Sequence, residues 1–306
     1  MHYRPLGNTG ISVSEIGMGC NRLGESAMPD AHWIALVHAA IDLGVTLFDS
    51  SESYGWGRSE EILGQAVGNR DDVLVATKVS RIQATNEKDF SARRIIEQVE
   101  GSLRRLRRDC IDIFQLHSPS LEDMQRFDWP EAMTKLRDAG KIRLSGVSIN
   151  NAASGQWLLD QGLAQVFQVS YNLLAPETGQ AVFAAAAEKG VGIMVRVPMA
   201  QGILTGKFQP GQPVAEGHRA HMAGQQMERL IAEAAEFQLV AQGAALPMSQ
   251  FALRYAISPT AVSAVIPGAR NVEQLTNNVA ASNGRGLDAT ELAAVAAIQQ
   301  RLAAQR

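Results

Sequence analysis

"VTLFDSSESYGWGRSEEILGQAVGNRDDVLVATKVS", residues 45–80, reads as strand, helix, strand. Val45 to Asp49 is an apolar run ending in a carboxylate, Ser59 to Val67 carries apolar residues at three- and four-residue spacing, and Val73 to Val79 is a second apolar run holding one lysine, Lys78. Two strands joined through a helix run parallel. Their C-terminal ends, with Asp49 and Lys78, therefore lie on the same side of the sheet.

The same unit recurs along the chain. Strands are expected at Glu15 to Gly19, Val45 to Asp49, Val73 to Val79, Ile111 to His117, Arg143 to Ser148, Val166 to Ser170, Val191 to Val197 and Ala261 to Ile266. Helices are expected at Ala31 to Leu43, Ser59 to Val67, Ala92 to Leu106, Glu131 to Ala139, Ala152 to Gln161, Glu177 to Lys189, Met248 to Ile257 and Val272 to Ala281. "DLG", "DAG" and "EKG" each close a helix on glycine ahead of a strand. This alternation predicts an α/β fold, a (β/α)8 TIM barrel, with an open doubly wound sheet as the other arrangement it allows. "GMGCNRLG", after the first strand, lacks the glycine spacing and the long helix of a dinucleotide fingerprint, which favours the barrel.

"GNTG" between Tyr3–Leu6 and Ile11–Ile16 predicts an N-terminal β-hairpin, and Ala223 to Gln242 and Asp288 to Arg306 read as extra C-terminal helices. Nothing resembles a linker, so residues 1–306 are read as a single domain.

The composition, 46% hydrophobic and 19% charged with net charge −3, describes a globular chain with no bias toward polyanions, so nucleic acid is not an expected partner. Arg104, Arg105, Arg107 and Arg108 close a helix, where cations face its carbonyl end. Cys20 and Cys110 have no disulfide or metal spacing, and "MHYRPLGNTG" has no apolar signal core, so a cytoplasmic, membrane-free protein is expected. His218 and His221 in "EGHRAH" lack a third ligand and read as a solvated loop, so no metal is expected.

In a (β/α)8 barrel the chemistry lies at strand C-termini and the loops after them. Here those ends carry Asp49, Lys78, His117, Ser148 and Gln168, with Tyr54 in the loop after Asp49. A lysine inside an apolar strand needs an anion, and Asp49 on the neighbouring strand supplies one. An ammonium beside Tyr54 is expected to pull the phenol's pKa down and make it a general acid. His117, one strand further round, is placed to bond the reacting oxygen.

These segments resemble the aldo-keto reductase family. "FDSSESYGWGRSEEILG", "VLVATKVS" and "FQLHSP" are similar to its aspartate and tyrosine, lysine and histidine segments, and "GKIRLSGVSINN", "FQVSYNLL", "PMAQGILTGKF" and "VIPGARNVEQLTNNV" to its cofactor segments. The resemblance implies a barrel that binds a nicotinamide cofactor without a Rossmann fold and reduces an aldehyde or ketone. By it, Asp49, Tyr54, Lys78 and His117 are catalytic, with Tyr54 as proton donor.

The resemblance assigns the cofactor to Ser148, Gln168, Arg196, Pro198, Gln201, Gly202, Lys207, Gly268, Ala269, Arg270, Gln274, Asn277 and Asn278. Arg270 suits a 2′-phosphate, so NADP(H) is favoured over NAD(H). Ile149 replaces a frequent asparagine, which leaves one carboxamide bond lost or supplied by Asn150; Arg196 replaces a stacking tyrosine, and Gly268 a lysine. Cys20, Asn21, Arg22, Trp56 and Tyr171 follow strand ends and are candidate lining of the pocket for a small carbonyl substrate. Three other functions use the same residues: an aldose dehydrogenase working in the oxidative direction, a lyase or isomerase forming a Schiff base on Lys78, and a non-catalytic nicotinamide sensor.

Overall fold

A computed structural model describes residues 1–211 and 224–305. A two-stranded antiparallel hairpin, β1 (Tyr3–Pro5) and β2 (Ser12–Ser14), precedes the main sheet. The sheet then takes β3 (Met18–Gly19), β4 (Leu47–Asp49), β5 (Leu74–Val79), β6 (Ile111–His117), β7 (Ile142–Ile149), β8 (Val166–Ser170), β9 (Gly192–Arg196) and β10 (Val262–Val265). These eight strands are parallel and neighbour one another in chain order.

The sheet closes on itself. Gly17 N–H donates to Val265 O at 2.8 Å, Val265 N–H to Glu15 O at 2.8 Å and Gly19 N–H to Pro267 O at 3.0 Å, bridging the first and last strands. Closure leaves no free edge, as the expected barrel requires.

Helices α1 (Asp30–Asp42), α2 (Arg58–Val67), α3 (Ala92–Leu106), α5 (Trp129–Asp138), α6 (Ala152–Gln161), α7 (Glu177–Glu188), α9 (Met248–Ile257) and α10 (Val272–Val279) follow the expected units. The short α4 (Leu121–Arg126) is an addition, set by a capping box in which Ser120 and Asp123 satisfy each other's backbone N–H. The expected extra helices are α8 (Gln225–Gly243) and α11 (Ala289–Ala304), the latter opened by a capping box of Asp288 and Glu291. Ala223, the expected start of α8, and His218 and His221 lie outside the described residues. After "DLG", "DAG" and "EKG" the chain turns through Gly44, Gly140 and Gly190 at φ of +86°, +70° and +68°, a region open to glycine at no steric cost.

Side-chain alternation divides the interior. Leu47, Leu74, Ala76, Ile113, Leu144, Val166, Met194, Ala264 and Ile266 point inward and fill the lower barrel, where the hairpin's Leu6 and Val13 plug the floor. Phe48, Val75, Phe114, Leu116, Phe167, Val169, Ile193 and Val195 belong to the separate core beneath the helices. Each fully buried large side chain contributes about 1.5–3 kcal/mol. Arg4 locks the hairpin to this floor through Glu15 at 2.7 Å and the carbonyls of Ile257 and Val262.

With its lower half filled by hydrocarbon, the barrel offers inward polar side chains at its C-terminal end. No helix among the described residues is long and apolar enough to cross a membrane.

Candidate active site

Strand parity decides which groups meet. Leu47 is inward, so Asp49 is inward; Ala76 is inward, so Lys78 is; Ile113 is inward, so Gln115 and His117 are. The register sets Lys78 beside Gln115, His117 beside Ser148, and Ser148 beside Gln168.

Lys78 is fully buried, and Asp49 is 3% exposed. Lys78 Nζ donates to Asp49 Oδ2 at 2.7 Å and to Ser50 O at 2.6 Å. The other carboxylate oxygen, Oδ1, accepts from Gln168 Nε2 at 2.8 Å and Gln115 Nε2 at 3.4 Å. A buried ion pair survives desolvation when its remaining lone pairs are occupied, and two amides occupy them here. Burial works against the Lys78 charge, with the Asp49 carboxylate first among the groups opposing it, and the net direction is above the ordinary lysine value, so the amine stays cationic.

Tyr54 lies against this ammonium, with Lys78 Nζ 5.2 Å from the ring centre. Its position is set by backbone contact: a Cβ added at Gly24 would come within 2.6 Å of Tyr54 C, and one at Gly55 within 2.4 Å of Gly24 O. The loop after β3 is therefore pressed directly onto the Tyr54–Gly55 peptide. Gly55, Trp56 and Gly57 continue at φ of +63°, +51° and +102°, which leaves Trp56 at the rim with 45% of its surface exposed.

The phenol departs from the expected acidity. Burial raises its pKa above 10; Lys78 pulls it down and Asp49 pushes it up, and the net direction is upward. Desolvation of a phenolate outweighs one neighbouring ammonium that is itself shared with a carboxylate. Tyr54 is thus a neutral phenol at working pH, the form that donates a proton.

His117 packs edge-on to Tyr54, with ring centres 5.8 Å apart. Its Nδ1 lies 3.1 Å from Ser51 Oγ. Burial, then the charges of Lys78, Arg196, Lys88 and Arg81, hold its pKa well below the usual histidine value, so the ring is neutral. Beyond Ser51, the Glu52 carboxyl accepts from Ser51 Oγ at 2.9 Å and from Ser80 N–H at 2.6 Å. Burial raises its pKa to about 7.

A carboxyl whose pKa is higher folded than unfolded costs stability as pH rises. The unfolded chain loses this proton first, near the ordinary glutamate value of 4.5, so stability falls between there and about pH 7. Glu52→Gln is therefore expected to stabilise the protein by about 2–3 kcal/mol at pH 8 and by little at pH 4.5, measured by urea unfolding. A pH-independent difference contradicts the assignment.

The residues assigned to the cofactor divide. Among the described residues Ser148 Oγ is buried without a hydrogen-bond partner, and so are Gln115 Oε1 and Arg196 Nε. Orphaned buried polar atoms at one end of a barrel fit a ligand that carries both donors and acceptors, as a carboxamide does. Gln168 has its amide nitrogen on Asp49. Asn150 donates to Ser118 O and accepts from Arg196.

Arg196 also reaches Ile149 O at 3.4 Å. After it the backbone takes left-handed conformations at Val197 (φ 56°), Ala200 (45°), Gln201 (55°) and Gly202 (92°), with Pro198 among them. For a β-branched residue such as Val197 this is strained, of order 1–3 kcal/mol, and strain of this kind gathers at ligand clamps. Lys207 is exposed over Phe208.

On the last unit, Gly268 is exposed beside Asn21, which would meet a Cβ there at 3.4 Å, and Ala269 is buried. Arg270 is exposed, its N–H donating to Gln274 Oε1 at 3.0 Å while its carbonyl meets His32. Asn277 donates to Ser249 and accepts from Gln250, and Asn278 donates to Gly268 O.

Two candidate pocket residues are displaced by parity. Tyr171 follows an inward Ser170, so it faces outward and packs against Phe183 and Tyr255 behind the strand. Cys20 is fully buried, its thiol on Met18 O and its pKa pushed up by burial. Asn21 and Trp56 remain at the rim, as does Arg22, which pairs with Glu25. Sequence reasoning missed Gln115, although its i,i+2 relation to His117 puts both on one face.

The aldo/keto reductase family model matches residues 15–300. Similar chains include an aldo-keto reductase of Bacillus subtilis, 35% identical over 217 residues covering 68% of this chain and 65% of that one. An uncharacterized oxidoreductase of the same organism is 31% identical over 303 residues, covering 96% and 95%. An aldo-keto reductase from Bacillus halodurans, solved in its holo form, superposes with a TM-score of 0.82 at 28% identity, covering 97% of this chain and 96% of that one. The chain belongs to the aldo/keto reductase family of oxidoreductases.

Proposed function

We propose that this protein reduces an aldehyde or ketone with NADP(H), on one (β/α)8 domain spanning residues 1–306. The observation that carries the reading is the buried Asp49–Lys78 pair beside a neutral Tyr54. A bound nicotinamide supplies the hydride. Tyr54 donates its proton to the carbonyl oxygen, and Lys78, held charged by Asp49, stabilises the phenolate left behind. His117, kept neutral, bonds the carbonyl oxygen and orients it. Ser148 would hold the carboxamide, and the 197–202 segment and Lys207 the pyrophosphate.

The same electrostatics disfavour a Schiff base on Lys78. That chemistry needs a neutral amine, whereas here the lysine pKa is raised.

Arg270, exposed ahead of α10, would hold the 2′-phosphate. Arg270→Ala is expected to weaken NADPH binding by about 10- to 100-fold, the worth of a charged hydrogen bond, and NADH by less than about threefold. Fluorescence titration with both cofactors checks this, and equal weakening overturns the phosphate assignment. Arg196, its guanidinium near the ring site, is expected to favour the uncharged reduced ring over the cationic oxidised one.

A further inference from the structure

From the hydrogen-bonded chain Glu52–Ser51–His117 we infer that Glu52 is a positioning residue that selects the tautomer of His117. The inference rests on the reading of His117 as the group that meets the carbonyl oxygen.

The geometry is continuous. Glu52 Oε2 lies 2.9 Å from Ser51 Oγ, and Ser51 Oγ lies 3.1 Å from His117 Nδ1. The carboxyl is 4% exposed, and its other oxygen is held at 2.6 Å by the uncharged Ser80 N–H. One hydroxyl therefore couples a buried carboxyl to the ring nitrogen remote from the substrate side, leaving Nε2 for substrate.

Two proton arrangements satisfy this chain. With Glu52 ionised, Ser51 O–H donates to the carboxylate, so His117 Nδ1–H donates to Ser51 and Nε2 carries a lone pair. With Glu52 protonated, its O–H donates to Ser51, Ser51 O–H donates to His117 Nδ1, and Nε2 carries the proton. Passing from the second to the first releases one proton to solvent and moves the imidazole proton from Nε2 to Nδ1, with the ring neutral throughout. An Nε2–H donates to a carbonyl oxygen, so protonated Glu52 favours reduction. A bare Nε2 offers that oxygen no donor, so ionised Glu52 removes the bond.

The surroundings allow the carboxyl to titrate while the ring does not. Glu52 feels Glu60 of α2, which raises its pKa, and Arg94 of α3, which lowers it, in addition to burial and the bonds from Ser51 and Ser80. His117 faces Lys78 of β5, Arg196 of β9, and Lys88 and Arg81 from the loop after β5, all opposing a second ring proton. Ser53 meets Ser51 Oγ through its hydroxyl at 3.0 Å and its backbone N–H at 3.4 Å, and one of these two donors fills the remaining lone pair in either arrangement.

The test is nitrogen NMR of histidine-labelled protein without cofactor, with the His117 signals assigned by His117→Gln and followed across about pH 5.5 to 8.5. In the wild type the ring is expected to pass from Nε2–H to Nδ1–H with a midpoint near 7, where Glu52 titrates. In Glu52→Gln the amide donates to Ser51 at every pH, so the Nε2–H form persists, and in Ser51→Ala the transition disappears. A single tautomer across the window in the wild type, or an unchanged transition in Glu52→Gln, overturns the inference.

A kinetic arm separates this from the proposed function. Carbonyl reduction is expected to fall about tenfold between about pH 6 and 8.5 in the wild type and less than about twofold in Glu52→Gln. Absence of any carbonyl reduction in the wild type removes the proposed function, while the NMR result still decides the relay.

Discussion

Tyr54→Phe is expected to lower turnover in carbonyl reduction by about 10²- to 10⁴-fold, with cofactor affinity changed by less than about twofold. The phenol is the proton donor in this account, and phenylalanine keeps the ring that packs at 5.8 Å from His117 while removing only the hydroxyl. Loss of an interaction made in the transition state lowers kcat and kcat/KM together. Near-normal turnover in this variant removes Tyr54 from its role, and a loss confined to KM makes it a binding residue instead.

The second large effect concerns the pair beneath it. Lys78→Met is expected to destabilise the protein by about 3–5 kcal/mol, because Asp49 is left buried and charged without its partner. Asp49→Asn combined with Lys78→Met removes both charges, and the amide still meets Gln168 or Gln115, so most of that loss is expected to return. Turnover stays low in both, since neither variant can stabilise a phenolate. Urea unfolding at unchanged slope measures the first effect and steady-state kinetics the second. A single variant as stable as the wild type, or a double variant with restored turnover, contradicts the assignment of Lys78.

The meeting of Asp49, Lys78 and His117 was readable because strand C-termini in a barrel share one rim, so the three needed only their places at strand ends. Gln115 was not singled out because a lone amide in an apolar run resembles filler, and its bond to Asp49 depends on the register between β5 and β6. Tyr171 was misplaced for a related reason: proximity to a strand end outweighed parity, and parity turns it outward. The depth at which Tyr54 is buried is not written in its neighbours along the chain, yet that depth sets the direction of its pKa.

Boundaries show the same division. The first barrel strand spans only Met18–Gly19 rather than Glu15–Gly19, since before it only Ile16 pairs, in an isolated bridge to Val265 of the last strand. Helix α4 carried its signal, Ser120 with Asp123 three residues on, but followed His117 too closely to stand out from the loop.

The most direct measurement mixes the protein with NADPH deuterated at the transferred position and a panel of aldehydes, ketones and aldoses, following cofactor oxidation and analysing the alcohol formed. The account predicts oxidation of the cofactor in step with product, deuterium on the former carbonyl carbon, and loss of both in Tyr54→Phe. Carbonyl turnover without cofactor consumption, with a borohydride-trapped adduct on Lys78, would contradict it.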